Sequence, residues 1–120
     1  MVTVYRVQDA SGRGPWRPGF SQQWIDDDAP AGRLTETVMD LMPIEQIQAL
    51  PMTHHYGCGC RSLDALMAWF TMRERARLFR AGYHPVSMRA DAVVAESDWQ
   101  VLFARVRPLS DGATRFRWRV

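Results

Sequence analysis

SLDALMAWFTMRERARLFRAG, residues 62–82, is the stretch on which the fold reading turns. Ser62 is a good helix N-cap, and Leu63, Leu66, Met67 and Phe70 follow at i, i+3, i+4 and i+7, the spacing of one apolar helical face. Thr71 and Glu74 then stand at capping-box spacing and open a second helix, which carries Leu78 and Phe79 and is stopped by Gly82. Beyond Gly82 the pattern changes to short β-like runs over residues 85–89, 93–95, 100–106 and 114–120. In the last of these, Thr114, Phe116, Trp118 and Val120 alternate with Arg115, Arg117 and Arg119, the period of a half-buried strand. Its row of guanidiniums reads most simply as an edge strand kept soluble by charge, ahead of a stripe for RNA or DNA. Upstream, Val2, Val4 and Val7 around Tyr5 and Arg6 form an opening strand with a mixed face. A strand, a helical middle and then several strands predict an α+β fold: a small antiparallel-rich sheet with helices from the middle of the chain packed on it.

Between the opening strand and the helices the chain is less regular. Residues 12–19, GRGPWRPG, combine glycine, proline, arginine and tryptophan in a composition that resists both helix and ladder. Asp26, Asp27 and Asp28 lead into Ala29-Pro30-Ala31-Gly32 and read as a solvated acidic run before a turn, since a hard-cation loop needs carbonyls and spaced carboxylates as well. From 34 to 50, Leu34, Val38, Leu41 and Met42 suit a helical face, Pro43 interrupts it, and Ile44, Ile47 and Leu50 suggest a second short turn.

A chain of 120 residues with 47% apolar and 23% charged residues has the size and balance of one globular domain, residues 1–120, with a core of its own. No run approaches the roughly 20 apolar residues of a membrane span. The start, MVTVYRVQD, lacks a basic region followed by an apolar one, so a cytoplasmic location is expected. All fifteen basic residues are arginine, for which a GC-rich coding genome is the simplest cause. Lysine chemistry, whether a Schiff base or a P-loop, is therefore excluded, and any anion clamp must be a guanidinium fork. A formal charge of +2 is too small to favour nucleic acid as a partner and of the wrong sign for a DNA mimic.

Chemistry-bearing residues concentrate in His54-His55-Tyr56-Gly57-Cys58-Gly59-Cys60-Arg61-Ser62. Four soft ligands within seven residues bring zinc to mind, but structural zinc sites draw ligand pairs from two separated knuckles, so no metal is expected. The simpler reading buries Cys58 as a small hydrophobe and uses the glycines for a tight turn before the helix. A Cys-His nucleophile is also conceivable, with Cys60 activated by the following helix N-terminus.

Taken with Tyr5-Arg6 and with Glu96-Ser97-Asp98-Trp99-Gln100, the same segment resembles the ADP-ribosyltransferase superfamily. The resemblance implies an ADP-ribosyltransferase-like fold, NAD as cofactor, Arg6 gripping it, Tyr56 and Trp16 lining the nicotinamide pocket and Ser62 steadying the ribose. It further implies that Glu96 or Gln100 orients the attacked carbon, with Gln100 standing where a glutamate is expected. The chain is similar in kind to small phage and prophage proteins that disable host defences such as CRISPR complexes, so a host protein or protein complex is the expected partner, without a membrane. The alternative is a phage-type inhibitor without chemistry, docking through an Arg/Trp surface of Trp16, Arg17, Trp24, Arg117 and Trp118. Simple ion pairing of Arg6 with Asp9 or Asp98 is the plainest competing role for that arginine.

Overall fold

The structure, a computed structural model, describes residues 1–26 and 37–119. In chain order its elements are β1 (Val2–Gln8), α1 (Ser21–Trp24), α2 (Val38–Leu41), α3 (Ile44–Gln48), β2 (His55–Gly59), α4 (Leu63–Met67), α5 (Met72–Arg80), β3 (His84–Ala90), β4 (Ala92–Glu96), β5 (Val101–Arg105) and β6 (Thr114–Arg115). Among the described residues no helix is long and apolar enough to cross a membrane.

The helices start and stop where local chemistry satisfies their free ends. Ser62 Oγ accepts the Ala65 N–H and caps α4. Thr71 and Glu74 form the reciprocal capping box of α5, and Gly82 leaves that helix through a φ of 86°. Pro43 separates α2 from α3 by serving as the N-cap of the second. Glu74 has a further task, since its Oε2 accepts the Asp26 backbone N–H at 2.9 Å. Asp26 in turn accepts the Thr71 hydroxyl at 3.0 Å and is buried. The expected solvated run therefore fails at Asp26, which completes the start of α5, while Asp27 and Asp28 lie outside the described residues.

The α+β class holds, but the expected single sheet is two antiparallel sheets of three strands each, in the orders β1-β3-β6 and β2-β5-β4. β1 and β3 pair over their whole length, from Val2 opposite Ala90 to Gln8 opposite His84. β4 follows β3 after Asp91, whose N–H is donated to the Ala104 carbonyl and whose carboxylate accepts the Val106 N–H, so the chain passes directly from one sheet to the other. A bulge between Val93 and Ala95 bends β4 along β5. One core cluster gathers Val7, Trp24, Leu66, Phe70, Leu78, Tyr83 and Trp118 under the helices, and the other holds Val4, Val86, Met88, Val101 and Phe103 between the sheets.

The last predicted strand is much shorter than its alternation suggests. β6 pairs with β3 only at Val86 and Ser87, followed by one bond from Phe116 N–H to the Pro85 carbonyl. The chain then turns inward so that Trp118 can fill the helical core and donate its Nε1–H to the Tyr83 carbonyl at 2.8 Å. Period-2 burial survives without the ladder: Phe116 is half-buried, Trp118 buried, and Arg115, Arg117 and Arg119 exposed.

Candidate functional site

β1 and β2 touch at one point and then part. Tyr5 and Cys60 exchange both backbone hydrogen bonds, at 2.8 and 2.7 Å, and this bridge is followed by a cleft between the sheets. The Arg6 side chain lies in the opening along a slot cut by glycines. A Cβ on Gly59 would stand 2.6 Å from the Tyr5 carbonyl oxygen and one on Gly57 only 2.1 Å from Arg6 Nη1, while from the facing loop a Cβ on Gly14 would reach within 3.0 Å of Nη2. Gly57 and Gly59 thus serve close packing inside a strand, with no positive φ. They do not make the expected tight turn.

The cleft has a volume of about 450 Å³. Its walls carry the rings of Trp16, Tyr56, Trp69 and Phe70, its charges are Arg6, Arg13 and Arg17, and among the described residues no Asp or Glu lines it. Arg6 is 8% exposed and its guanidinium has no hydrogen-bond or ion-pair partner among the described residues, the Nε being fully enclosed without an acceptor. Burial lowers its pKa, opposed by Cys58 and Asp9, yet a guanidinium stays protonated at any working pH.

The expected pairing of Arg6 with Asp9 or Asp98 is absent. Asp9 Oδ1 is spent on its own loop, accepting the Ser11 and Arg13 N–H groups at 2.9 Å and the Ser11 hydroxyl at 2.7 Å. Burial would raise the Asp9 pKa, but these bonds and Arg13 outweigh it and hold the carboxyl below its usual range. The rest of the loop is anchored too. Trp24 Nε1 donates to the Pro15 carbonyl, Trp16 stands edge-on to Trp24 at 4.6 Å, and Arg17 donates to the Tyr83 hydroxyl at 2.6 Å while lying over the Phe20 ring.

Of the residues singled out in the sequence, Arg6, Trp16, Tyr56 and Gln100 meet in this cleft and two do not. Ser62 is the exposed cap of α4. Glu96 is held in a bidentate fork by Arg61, at 2.5 and 2.7 Å, on the exposed surface, and that hydrogen bonding keeps its carboxyl below the usual range. Tyr56 is oriented by donating its hydroxyl to the Pro51 carbonyl at 2.6 Å. The contributions of Gly14, Gly57, Arg13, Trp69 and Phe70 were missed. A glycine at every second position of a strand is the signal that could have exposed the slot, because it marks a face where something large approaches the backbone.

The other chemical readings of the middle segment fare differently. Cys60 lies in the helical core, where burial pushes its thiol up to about 11, the reverse of an activated nucleophile. No group of three or more His, Cys, Asp or Glu side chains is gathered to hold a metal ion among the described residues. The Arg/Trp docking surface does not form as one patch, because Trp24 and Trp118 are core residues.

No curated protein and no solved structure matches the chain. A protein-family model described as bacteriophage T4 Y00F protein matches residues 1–110, which include every residue lining the cleft, and the chain belongs to this family of phage proteins.

Proposed function

We propose that this phage protein binds NAD, or a nucleotide of the same chemistry, in the cleft between its sheets, and that it acts by binding without transferring ADP-ribose. One observation carries the reading: the buried guanidinium of Arg6, which has no acceptor among the described residues, at the floor of an aromatic cleft that they leave without an acid. An uncompensated buried charge costs a fold several kcal/mol. Such an arrangement is favourable when an anion enters, and arginine forks match phosphate oxygens in pairs.

NAD offers both features the cleft can use. Its pyrophosphate suits Arg6 with Arg13 nearby, and its flat rings suit the faces of Trp16, Tyr56 and Trp69. The volume lies within the usual range of small-molecule pockets, about 300–1,000 Å³. Transfer of ADP-ribose is less well supported. An oxocarbenium-like centre needs a negative charge beside it, and Glu96 is engaged by Arg61 outside the cleft while Gln100, which does line it, is an uncharged amide. Acting on the host by blocking a host protein or withholding a host nucleotide fits a phage protein of this kind, and inhibition of a CRISPR complex is its narrowest form.

Calorimetry with NAD tests the reading on the wild type, Arg6→Met and Glu96→Gln. Wild type and Glu96→Gln are expected to bind equally, with a dissociation constant well below millimolar, and Arg6→Met at least about tenfold more weakly, as for loss of a charged hydrogen bond. Absence of heat at millimolar NAD would overturn the cofactor. Label transfer from NAD to host proteins, lost in Glu96→Gln, would overturn the non-catalytic half.

A further inference from the structure

A second groove lies between α5 and the segment that begins with β6. It has a volume of about 580 Å³ and shares no lining residue with the cleft. Four arginines line it, Arg75, Arg80, Arg115 and Arg117, and among the described residues no carboxylate does. Their positions follow from the local structure. α5 turns Arg80 toward the groove with Ala76 and Phe79, and period-2 alternation sends Arg115 and Arg117 to the exposed face while Phe116 and Trp118 turn toward the protein.

These guanidiniums are not equally engaged. Arg75 is fastened to the backbone carbonyls of Met67 and Arg119, both at 2.7 Å, and is part of the frame. Among the described residues Arg80 donates only its Nε, to the Ala76 carbonyl at 3.3 Å, and they leave its terminal nitrogens for other acceptors. Arg115 and Arg117 have no hydrogen-bond or ion-pair partner among the described residues. Beside them the Phe79 ring is 59% exposed and stands edge-on to His84 at 5.6 Å. Burial and the charge of Arg115 both lower the His84 pKa, so the imidazole adds a neutral ring to the groove at neutral pH.

We propose that this groove binds single-stranded nucleic acid, its phosphates on Arg80, Arg115 and Arg117 and a base against the exposed ring of Phe79. Charge complementarity demands an anionic occupant, and the exposed ring selects among anions. Single strands present both a charged backbone and free base faces, whereas an acidic peptide brings charge without an obligatory ring and a duplex keeps its bases stacked inside.

The test is fluorescence anisotropy of a labelled oligothymidylate of about 15 nucleotides, a length within the site sizes of single-strand binders. With three phosphates neutralised, affinity is expected to fall roughly twentyfold between about 50 and 200 mM salt, from a slope near −0.7 per phosphate. Arg115→Ala/Arg117→Ala removes two contacts and should flatten the logarithmic slope by about 1.4. A control of equal charge loss, Arg89→Ala/Arg107→Ala, leaves the slope unchanged, and Phe79→Ala weakens binding at every salt concentration. Thermal unfolding of each variant verifies that it is folded. Undetectable binding at about 50 mM salt, equal loss in the control pair, or equal competition by polyglutamate or by duplex DNA would each overturn the assignment.

Discussion

Arg6 and Arg105 are both buried, 8% and 3% exposed, yet the protein treats their charges in opposite ways. Arg105 closes the loop after β5: Nη1 donates to the Pro108 carbonyl and Nη2 to the Asp111 carbonyl, each at 2.9 Å, with the Met88 sulfur at 3.6 Å. Arg6 sits in a glycine slot with no acceptor among the described residues. The first guanidinium is structural, because its donors replace water with fixed carbonyls. For the second the described residues offer no such replacement, and a buried donor left in that state calls for a reason of its own, which the proposed ligand would supply. Buried polar groups are therefore informative less by their presence than by whether their partners belong to the chain.

Truncation breaks this contrast most directly. Arg105→Ala should cost about 3 kcal/mol or more, read as a fall in the urea midpoint at constant slope, because two charge-assisted bonds that hold the loop carbonyls of Pro108 and Asp111 are lost. Arg6→Met should change stability by less than about 1 kcal/mol, or raise it, since an apolar group replaces an uncompensated charge. Equal destabilisation by the two variants would show that Arg6 is a structural residue as well.

A milder test fills the slot. The new Cβ of Gly57→Ala meets Nη1 at 2.1 Å and Phe103 Cζ at 2.9 Å, so a loss of about 1–3 kcal/mol is expected together with loss of ligand binding. In an Arg6→Ala background the same substitution should cost at least about 0.5 kcal/mol less, the sign of direct coupling, and strict additivity would deny that Gly57 is there for Arg6.

The smallest effect concerns the loop that carries Arg13 and Trp16. Since the folded-state pKa of Asp9 is depressed, its contribution is fully present above the ordinary value of 3.8 and is lost as pH falls through the lower folded value. Acid titration followed by tryptophan fluorescence should show a transition in that window which Asp9→Asn removes. An identical curve for the variant would place the hold on the loop elsewhere, for example in the Trp24–Pro15 bond.

Much of the fold was legible in particular residues. Ser62, the Thr71/Glu74 pair, Pro43 and Gly82 act within four residues of themselves, so their meaning does not depend on the rest of the chain. Arg6, Trp16, Tyr56 and Gln100 stood out as candidate ligand residues, and they do meet, although from a strand, a loop, a second strand and a turn. Glu96 misled because a carboxylate near a late strand looks the same in sequence whether it faces a cleft or, as here, Arg61 on the surface. Asp26 misled in a similar way, since nothing nearby announces that Thr71 and Glu74, more than forty residues away, will bury it.

By itself the sequence determined the element types of β1, α4, α5 and β3 to β5, the caps of α4 and α5, the all-arginine character of its positive charge and the alternation of its last segment. Those properties follow from capping, periodicity and composition, which are local. Only the tertiary structure decided that the strands divide into two sheets, that β6 stops after Arg115, and that the parting of β1 from β2 leaves Arg6 without an acceptor among the described residues. Each of these depends on which backbone groups meet across long separations, and a pairing such as Tyr5 with Cys60 is set by the packing of the whole core rather than by either segment alone.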